Sequence, residues 1–139
     1  MSNKKSGVST PSSFIAYTVC SVSHLGQAKA MADSFIQHNP TYQIFIGIVD
    51  KLENRVSTTD FAPHLLIEIE EMGIPNLPDL CLKYDGLELC CLAKPYMATY
   101  LFAQHAALAK LVYMDTDMLF FGSVNTVEQA LETADILLT

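Results

Sequence analysis

The chain has 139 residues, the length of one domain. Half of them are hydrophobic and 17% are charged, which excludes a disordered chain; six Gly, six Pro and no heptad run exclude collagen and coiled coil. The net charge is −7, and the eight Lys and Arg are scattered with no basic stripe, so nucleic acid is not an expected partner.

Residues 1–13 (MSNKKSGVSTPSS) are Ser-rich and aperiodic, and are expected to form a flexible leader outside a domain spanning 14–139. Lys4 and Lys5 ahead of the apolar stretch Phe14 to Val22 have the outline of a signal peptide. Tyr17, Thr18 and Ser21 interrupt that stretch, and its β-branched and aromatic content predicts a strand, Phe14 to Val19. Leu25, Ala28, Met31, Ala32, Phe35 and Ile36 recur at helical spacing and predict a helix over Leu25 to His38, stopped by Asn39-Pro40. Tyr42 to Val49 predicts a second strand, apolar nearly throughout as when both faces are covered. Its core, Ile44 to Val49, is the longest purely apolar run, far short of the roughly 20 residues of a membrane span.

A polar connection, Asp50 to Asp60, leads to a shorter strand, Leu65 to Ile69. Met72 to Leu80 (MGIPNLPDL) holds two Pro and one Gly and predicts a loop. A long helix is expected from an N-cap at Asp85 to about His105, broken or kinked at Pro95. Tyr96, Tyr100 and Leu101 on it are expected to pack in the core. Lys110 to Met114 predicts another strand, Thr126 to Thr133 a helix, and Asp135 to Leu138 a last strand. Strands spaced by helices define parallel βαβ units, so the expected fold is a three-layer α/β/α domain with a mostly parallel, Rossmann-like sheet. Ligands of such sheets sit beyond the carboxyl ends of the strands, where the strand order reverses.

Cys20, Cys81, Cys90 and Cys91 form no CxxC, and adjacent Cys90 and Cys91 lack ligand spacing. Buried free thiols in a reducing compartment are expected, and with them a cytoplasmic location.

The sharpest motif is LVYMDTDMLFF, residues 111–121, an apolar strand that ends in two carboxylates two positions apart. Residues at that spacing on a strand share a face. Two acids at the tip of an apolar sheet repel each other unless a cation or hydrogen bonds compensate. A hard divalent ion, Mg²⁺ or Mn²⁺, compensates them and keeps positions open for substrate phosphates. The blander reading of Asp115 and Asp117 is a pair of solvated turn acids. A phosphatase of the haloacid dehalogenase type also carries DxD after a strand, but there the motif ends the first strand and Thr follows the second Asp closely. Here Met118-Leu119 follow, and three candidate strands come earlier.

Other residues fall at strand ends or near the same region. The first strand ends in Thr18-Val19-Cys20-Ser21, whose backbone and hydroxyls can hold a base or ribose. His24, at the next helix start, can stack on a base or be a plain surface residue. Asp50 ends the second strand and either takes a ribose hydrogen bond or simply opens a loop. Lys94 either meets a diphosphate and the Asp pair or is an ordinary exposed Lys.

With these residues in place, the chain resembles the nucleotide-binding half of a GT-A glycosyltransferase, of the bacterial enzymes related to glycosyltransferase family 8. The resemblance rests on AYTVCSVSHLGQAKAMADSFIQHNP, YQIFIGIVD, LIEIEEMGIP with KYDGLELCCLAKPYMATYLF, and KLVYMDTDMLFFGSV, in that order, from about Phe14 to Thr139. It implies that Asp115 and Asp117 are the DxD that holds Mn²⁺ or Mg²⁺ against the diphosphate of a nucleotide-diphospho-sugar, a UDP-sugar foremost. It implies further that Thr18, Val19 and Cys20 grip the nucleoside, that Thr116 lies within the donor site, and that Lys94 sits near the phosphates. His24 stands where related enzymes often have a stacking Tyr, and Asp50 is a weaker match. In the metal-dependent family a downstream His completes the metal shell and a downstream half builds the acceptor pocket. His24, His38, His64 and His105 all precede the DxD here, so the resemblance implies an incomplete GT-A sheet, the N-terminal donor-binding part. Three functions then stand against one another: the donor domain of a glycosyltransferase with an unknown acceptor, a non-catalytic nucleotide-sugar module, and a structural α/β domain that binds neither.

Overall fold

The computed structural model describes residues 13–53 and 55–138. Up to Ser12 the expected leader lies outside the described residues. Ser13 already belongs to the fold, since its carbonyl accepts hydrogen bonds from the N–H groups of Ala109 and Lys110.

Four strands form one sheet: β1 (Phe14–Cys20), β2 (Gln43–Ile48), β3 (Leu65–Glu68) and β4 (Lys110–Tyr113). Every pairing is parallel, and the order across the sheet is β3-β2-β1-β4. Ile15 faces Gln43 on one side and Leu111 on the other, which sets the register of the centre. β1 is buried over its whole length. A strand with both neighbours paired and both faces covered requires the unbroken apolar run FIAYTVC.

Alternation along β1 and β2 divides the core in two. Phe14, Ala16, Ile44, Ile46 and Ile48 pack under α1 (Leu25–His38) through Ala28, Met31, Ala32 and Phe35. Ile15, Tyr17, Val19 and Phe45 pack on the other face under α3 (Gly86–Gln104) through Leu89, Ala93, Met97 and Leu101. The architecture is therefore the three-layer α/β/α expected from the sequence, with an all-parallel sheet. Gly47 in β2 is a close-approach glycine: a Cβ there would stand 2.9 Å from Met72 Cε and 3.2 Å from Val19 Cγ2.

Three sequence expectations are corrected. Residues 77–83 of the expected loop form a helix, α2 (Leu77–Lys83). Pro78 stands in its first turn, where the missing N–H has no intrahelical partner to lose, so the proline opens the helix instead of forbidding it. α3 runs unbroken through Pro95, because burial of Ala93, Met97 and Leu101 on either side of it holds the helix to the sheet. Asp85 caps that helix as expected: its carboxylate accepts from the N–H of Glu88 at 2.9 Å, and Glu88 returns the contact to Asp85 N–H at 3.0 Å. The last strand does not form. Asp135 to Leu138 pairs with no strand, and Ile136 and Leu138 are 77% and 93% exposed.

After β4 the chain turns back across α1 and enters a short helix, α4 (Asn125–Ala130). This return segment is fastened at three places. Ser34 Oγ accepts from Phe120 N–H at 3.1 Å, Asn39 Oδ1 accepts from Val124 N–H at 3.0 Å, and Tyr42 donates its hydroxyl to Glu128. Asn39 is buried and also donates through Nδ2 to the Phe35 carbonyl at 2.9 Å, closing the end of α1. Asn39→Ala strips both partners in a buried setting and is expected to lower stability by about 2 kcal/mol, measurable by urea denaturation.

Among the described residues no helix is long and apolar enough to cross a membrane.

Candidate functional site

From β1 the chain crosses through α1 on one face to β2, and from β3 it returns through α3 on the opposite face to β4. The strand order therefore reverses between β1 and β4, and the strand tips part there into a crevice of about 410 Å³. One wall is the end of β1 and the turn after it, with Val19, Cys20, Ser21 and His24. The start of α3 supplies Gly86, Leu87, Cys90, Cys91 and Lys94, and the end of β4 supplies Tyr113, Asp115 and Thr116. A second hollow, of about 300 Å³, lies beside the edge strand β3. Its His64 is already committed, with Nε2 2.6 Å from Asp33 Oδ1.

Polar contacts within the crevice centre on Asp115. Tyr113 and Asp115 are two apart, and the Tyr113 hydroxyl donates to Asp115 Oδ1 at 2.7 Å. Lys94 Nζ lies 3.6 Å from the same oxygen and 4.4 Å above the centre of the Tyr113 ring. Burial, then the hydrogen bond to Asp115, pushes the Tyr113 phenol well above its ordinary range, so it remains a donor at neutral pH. Tyr17 packs edge-on against Tyr113 at 5.3 Å and donates its hydroxyl to the Lys94 carbonyl at 3.1 Å. Buried Tyr17 thereby ties the Lys94 turn of α3 to β1.

Of the residues singled out in the sequence, the crevice brings together Val19, Cys20, His24, Lys94, Asp115 and Thr116. Thr18 does not line it: its side chain is fully buried in the sheet, and Oγ1 has no hydrogen-bond partner. The alternation of β1 turns Thr18 toward the α1 layer together with Ala16. Asp50 lies outside the lining as well, and its Oδ2 accepts from Val22 N–H at 2.7 Å, joining the end of β2 to the turn after β1. Asp117 is exposed in the turn beyond Thr116. His24 is exposed at the rim, with Nδ1 2.9 Å from Ser21 Oγ and 3.0 Å from Ser23 Oγ.

The crevice also contains residues that the sequence reading did not assign. Tyr113 was legible in principle, since it shares the strand face of Asp115 two positions on. Gly86, Leu87, Cys90 and Cys91 were not, because only the crossover of α3 brings that helix over the tip of β1.

The thiols depart from expectation. Cys20 is buried, Cys90 is partly so, and Cys81 and Cys91 are exposed, all four being free. Burial foremost, then the neighbouring Cys90 and Asp50, pushes the Cys20 thiol up to about 12. Burial and Asp50 likewise raise Cys90. Both shifts favour the protonated thiol, the less nucleophilic form.

Both contacts of Asp115 fall on Oδ1, and its side chain is 63% exposed, so Oδ2 is the atom that could meet a cation. Asp117 stands outside the crevice lining, and among the described residues no three His, Cys, Asp or Glu side chains group to hold a metal by themselves.

The fold and the crevice define an α/β protein with a cleft at a topological switch point. No protein-family model matches the chain, and no curated protein matches it.

Proposed function

We propose that the chain is the donor-binding part of a glycosyltransferase of the GT-A type. A nucleotide-diphospho-sugar, a UDP-sugar foremost, occupies the crevice with Mn²⁺ or Mg²⁺, and its sugar passes to an acceptor not identified by the residues described. The observation that carries this reading is the placement of Asp115 and Lys94 at the mouth of the cleft where the strand order reverses. In this reading Val19, Cys20 and the backbone at Ser21 hold the nucleoside end, with His24 at the rim. Lys94 meets phosphate oxygens, and the Tyr113 hydroxyl orients the Asp115 carboxylate. Asp115 and Asp117 would hold the divalent ion, which, when bound, supplies charge neutralisation to the departing diphosphate. Four free thiols fit a cytoplasmic setting.

Calorimetric titration with UDP, with and without Mn²⁺, tests the reading. Binding is expected with Mn²⁺ and is expected to be lost with a chelator; no binding under either condition sinks it. Thiol labelling gives a second measure. Maleimide is expected to modify the exposed Cys81 and Cys91, and UDP with Mn²⁺ to slow labelling at Cys91, in the crevice, while leaving Cys81 unchanged. Mass spectrometry of the two peptides reads the difference.

A second reading, a module that holds the sugar nucleotide without transferring the sugar, is favoured by Asp115, the carboxylate in the crevice lining, being already engaged by Lys94 and the Tyr113 hydroxyl. A UDP-sugar hydrolysis assay separates the two, since the module binds the donor and leaves it intact.

A further inference from the structure

We propose that the outward side of α3 is an interaction surface and that its partner is a second copy of this chain. The surface lies on the far side of α3 from the sheet and owes nothing to the donor-site reading.

One side of α3 is covered, where Leu89, Ala93, Met97 and Leu101 pack on the sheet. On the opposite side Cys91, Pro95, Thr99 and Phe102 recur every three or four residues, and all four are exposed. The Phe102 ring shows 50% of its surface. Between Glu88 and Lys110 the sequence holds a single charged residue, Lys94, and that side chain turns aside to Asp115. The other helical layer shows the contrast. There α1 exposes Gln27, Asp33 and Gln37, and pairs Lys29 with Asp33 at 2.7 Å. A helix that is apolar on every side has the composition of one buried on every side. Among the described residues no element covers the outer stripe of α3.

Charge selects the occupant. The chain has a net charge of −7, so two copies repel each other over most of their surface. The stripe from Cys91 to Phe102 carries no acid, which makes it a face that two copies can share. An anionic membrane is disfavoured, because such surfaces are bound through clusters of Lys and Arg. Shape selects the arrangement. A two-fold pair joins one patch to itself, so the patch must complement its own image. With two α3 helices antiparallel and crossing at Ala98 and Thr99, each Phe102 ring lies over Pro95 of the partner subunit. A bulky residue then meets a compact one at both ends, and the small residues at the crossing let the helices approach. A helix pair about 28 Å long stays below the roughly 1,200 Å² of a stable interface. The dimer is therefore weak and reversible, with a dissociation constant of about 10 µM.

Sedimentation velocity of the full chain tests this, from about tenfold below to tenfold above that concentration. The wild type is expected to move from 15.3 kDa toward twice that mass, and added NaCl to strengthen association by screening like charges. Phe102→Glu places an acid on the shared face. It is expected to weaken association by about thirtyfold or more, leaving a monomer with unchanged thermal melting. Thr99→Glu, exposed on the same stripe, takes its place should that variant fail to fold. Phe121→Glu, at a ring 84% exposed after β4, is expected to dimerise like the wild type. A wild type that stays monomeric overturns the proposal, as does a folded Phe102→Glu or Thr99→Glu chain that still dimerises. Equal loss in Phe121→Glu overturns it too, since association then follows general stickiness and not this face. Flotation of a monomeric chain with phosphatidylglycerol vesicles overturns it in favour of a lipid surface.

Discussion

Asp115→Asn and Asp117→Asn are each expected to lower the Mn²⁺-dependent affinity for UDP by about a hundredfold, leaving thermal stability nearly unchanged. The size follows from removing one full ligand charge, where a charged hydrogen-bonding or ligating contact contributes about 1.5–3 kcal/mol. A hundredfold in affinity is about 2.7 kcal/mol. Stability is spared because both side chains are exposed and neither supports the core. The two substitutions differ in one respect: Asp115→Asn also releases Lys94 and the Tyr113 hydroxyl, whereas Asp117→Asn disturbs no other contact. Asp60→Asn, an exposed acid in the short turn before β3, serves as control and is expected to bind like the wild type. Isothermal calorimetry at fixed Mn²⁺ reads all three. Undiminished binding in both DxD variants removes the metal from the mechanism.

Phe35→Ala carries the largest expected effect on stability, a loss of about 3–5 kcal/mol by urea denaturation. Phe35 is 1% exposed and is the hub of an aromatic group, stacking toward Tyr42 at 6.2 Å and meeting Phe120 edge-on at 5.2 Å. Truncation leaves a cavity between α1 and the sheet, and frees Phe120, which anchors the segment running from the Asp115–Asp117 turn toward α4. Domains of this size are stable by only about 5–15 kcal/mol, so the variant keeps little reserve. Leu119→Ala next to it, at a side chain 56% exposed, is expected to change stability by less than about 0.5 kcal/mol. A Phe35→Ala protein as stable as the wild type would place the hub of this core elsewhere.

Much of the architecture was legible because burial on two faces leaves a plain mark. The runs FIAYTVC and IFIGIV admit little but central parallel strands, and Leu25, Ala28, Met31, Ala32 and Phe35 admit little but a helix against them. Prolines were read less well. Pro78 signalled a loop and Pro95 a break or kink, yet one opens a helix and the other sits inside a helix that does not break, since a proline's effect depends on which hydrogen bond it removes and on the packing around it. DILL looked like a strand from local pattern alone, but a strand exists only where an edge receives it, and that is a non-local fact. At the site, Asp115 and Lys94 were found from residue type, and the resemblance joined them to Val19 and Cys20. Thr18 was misplaced because a run of three residues at a strand end was taken together, although only the last two reach the open tip and Thr18, one step further back, is fully buried within the sheet. Apart from Lys94, the α3 side of the crevice had no local mark.

The central position of β1 has a consequence for biosynthesis. Its partner on one side follows within a single crossover, but on the other side Tyr17 must wait for Tyr113. Such distant pairing slows folding, and it leaves one flank of an apolar strand without a mate while the nascent chain emerges from the ribosome. The β4 side of the cleft is missing until that strand docks, so the crevice is among the last parts of the molecule to take shape.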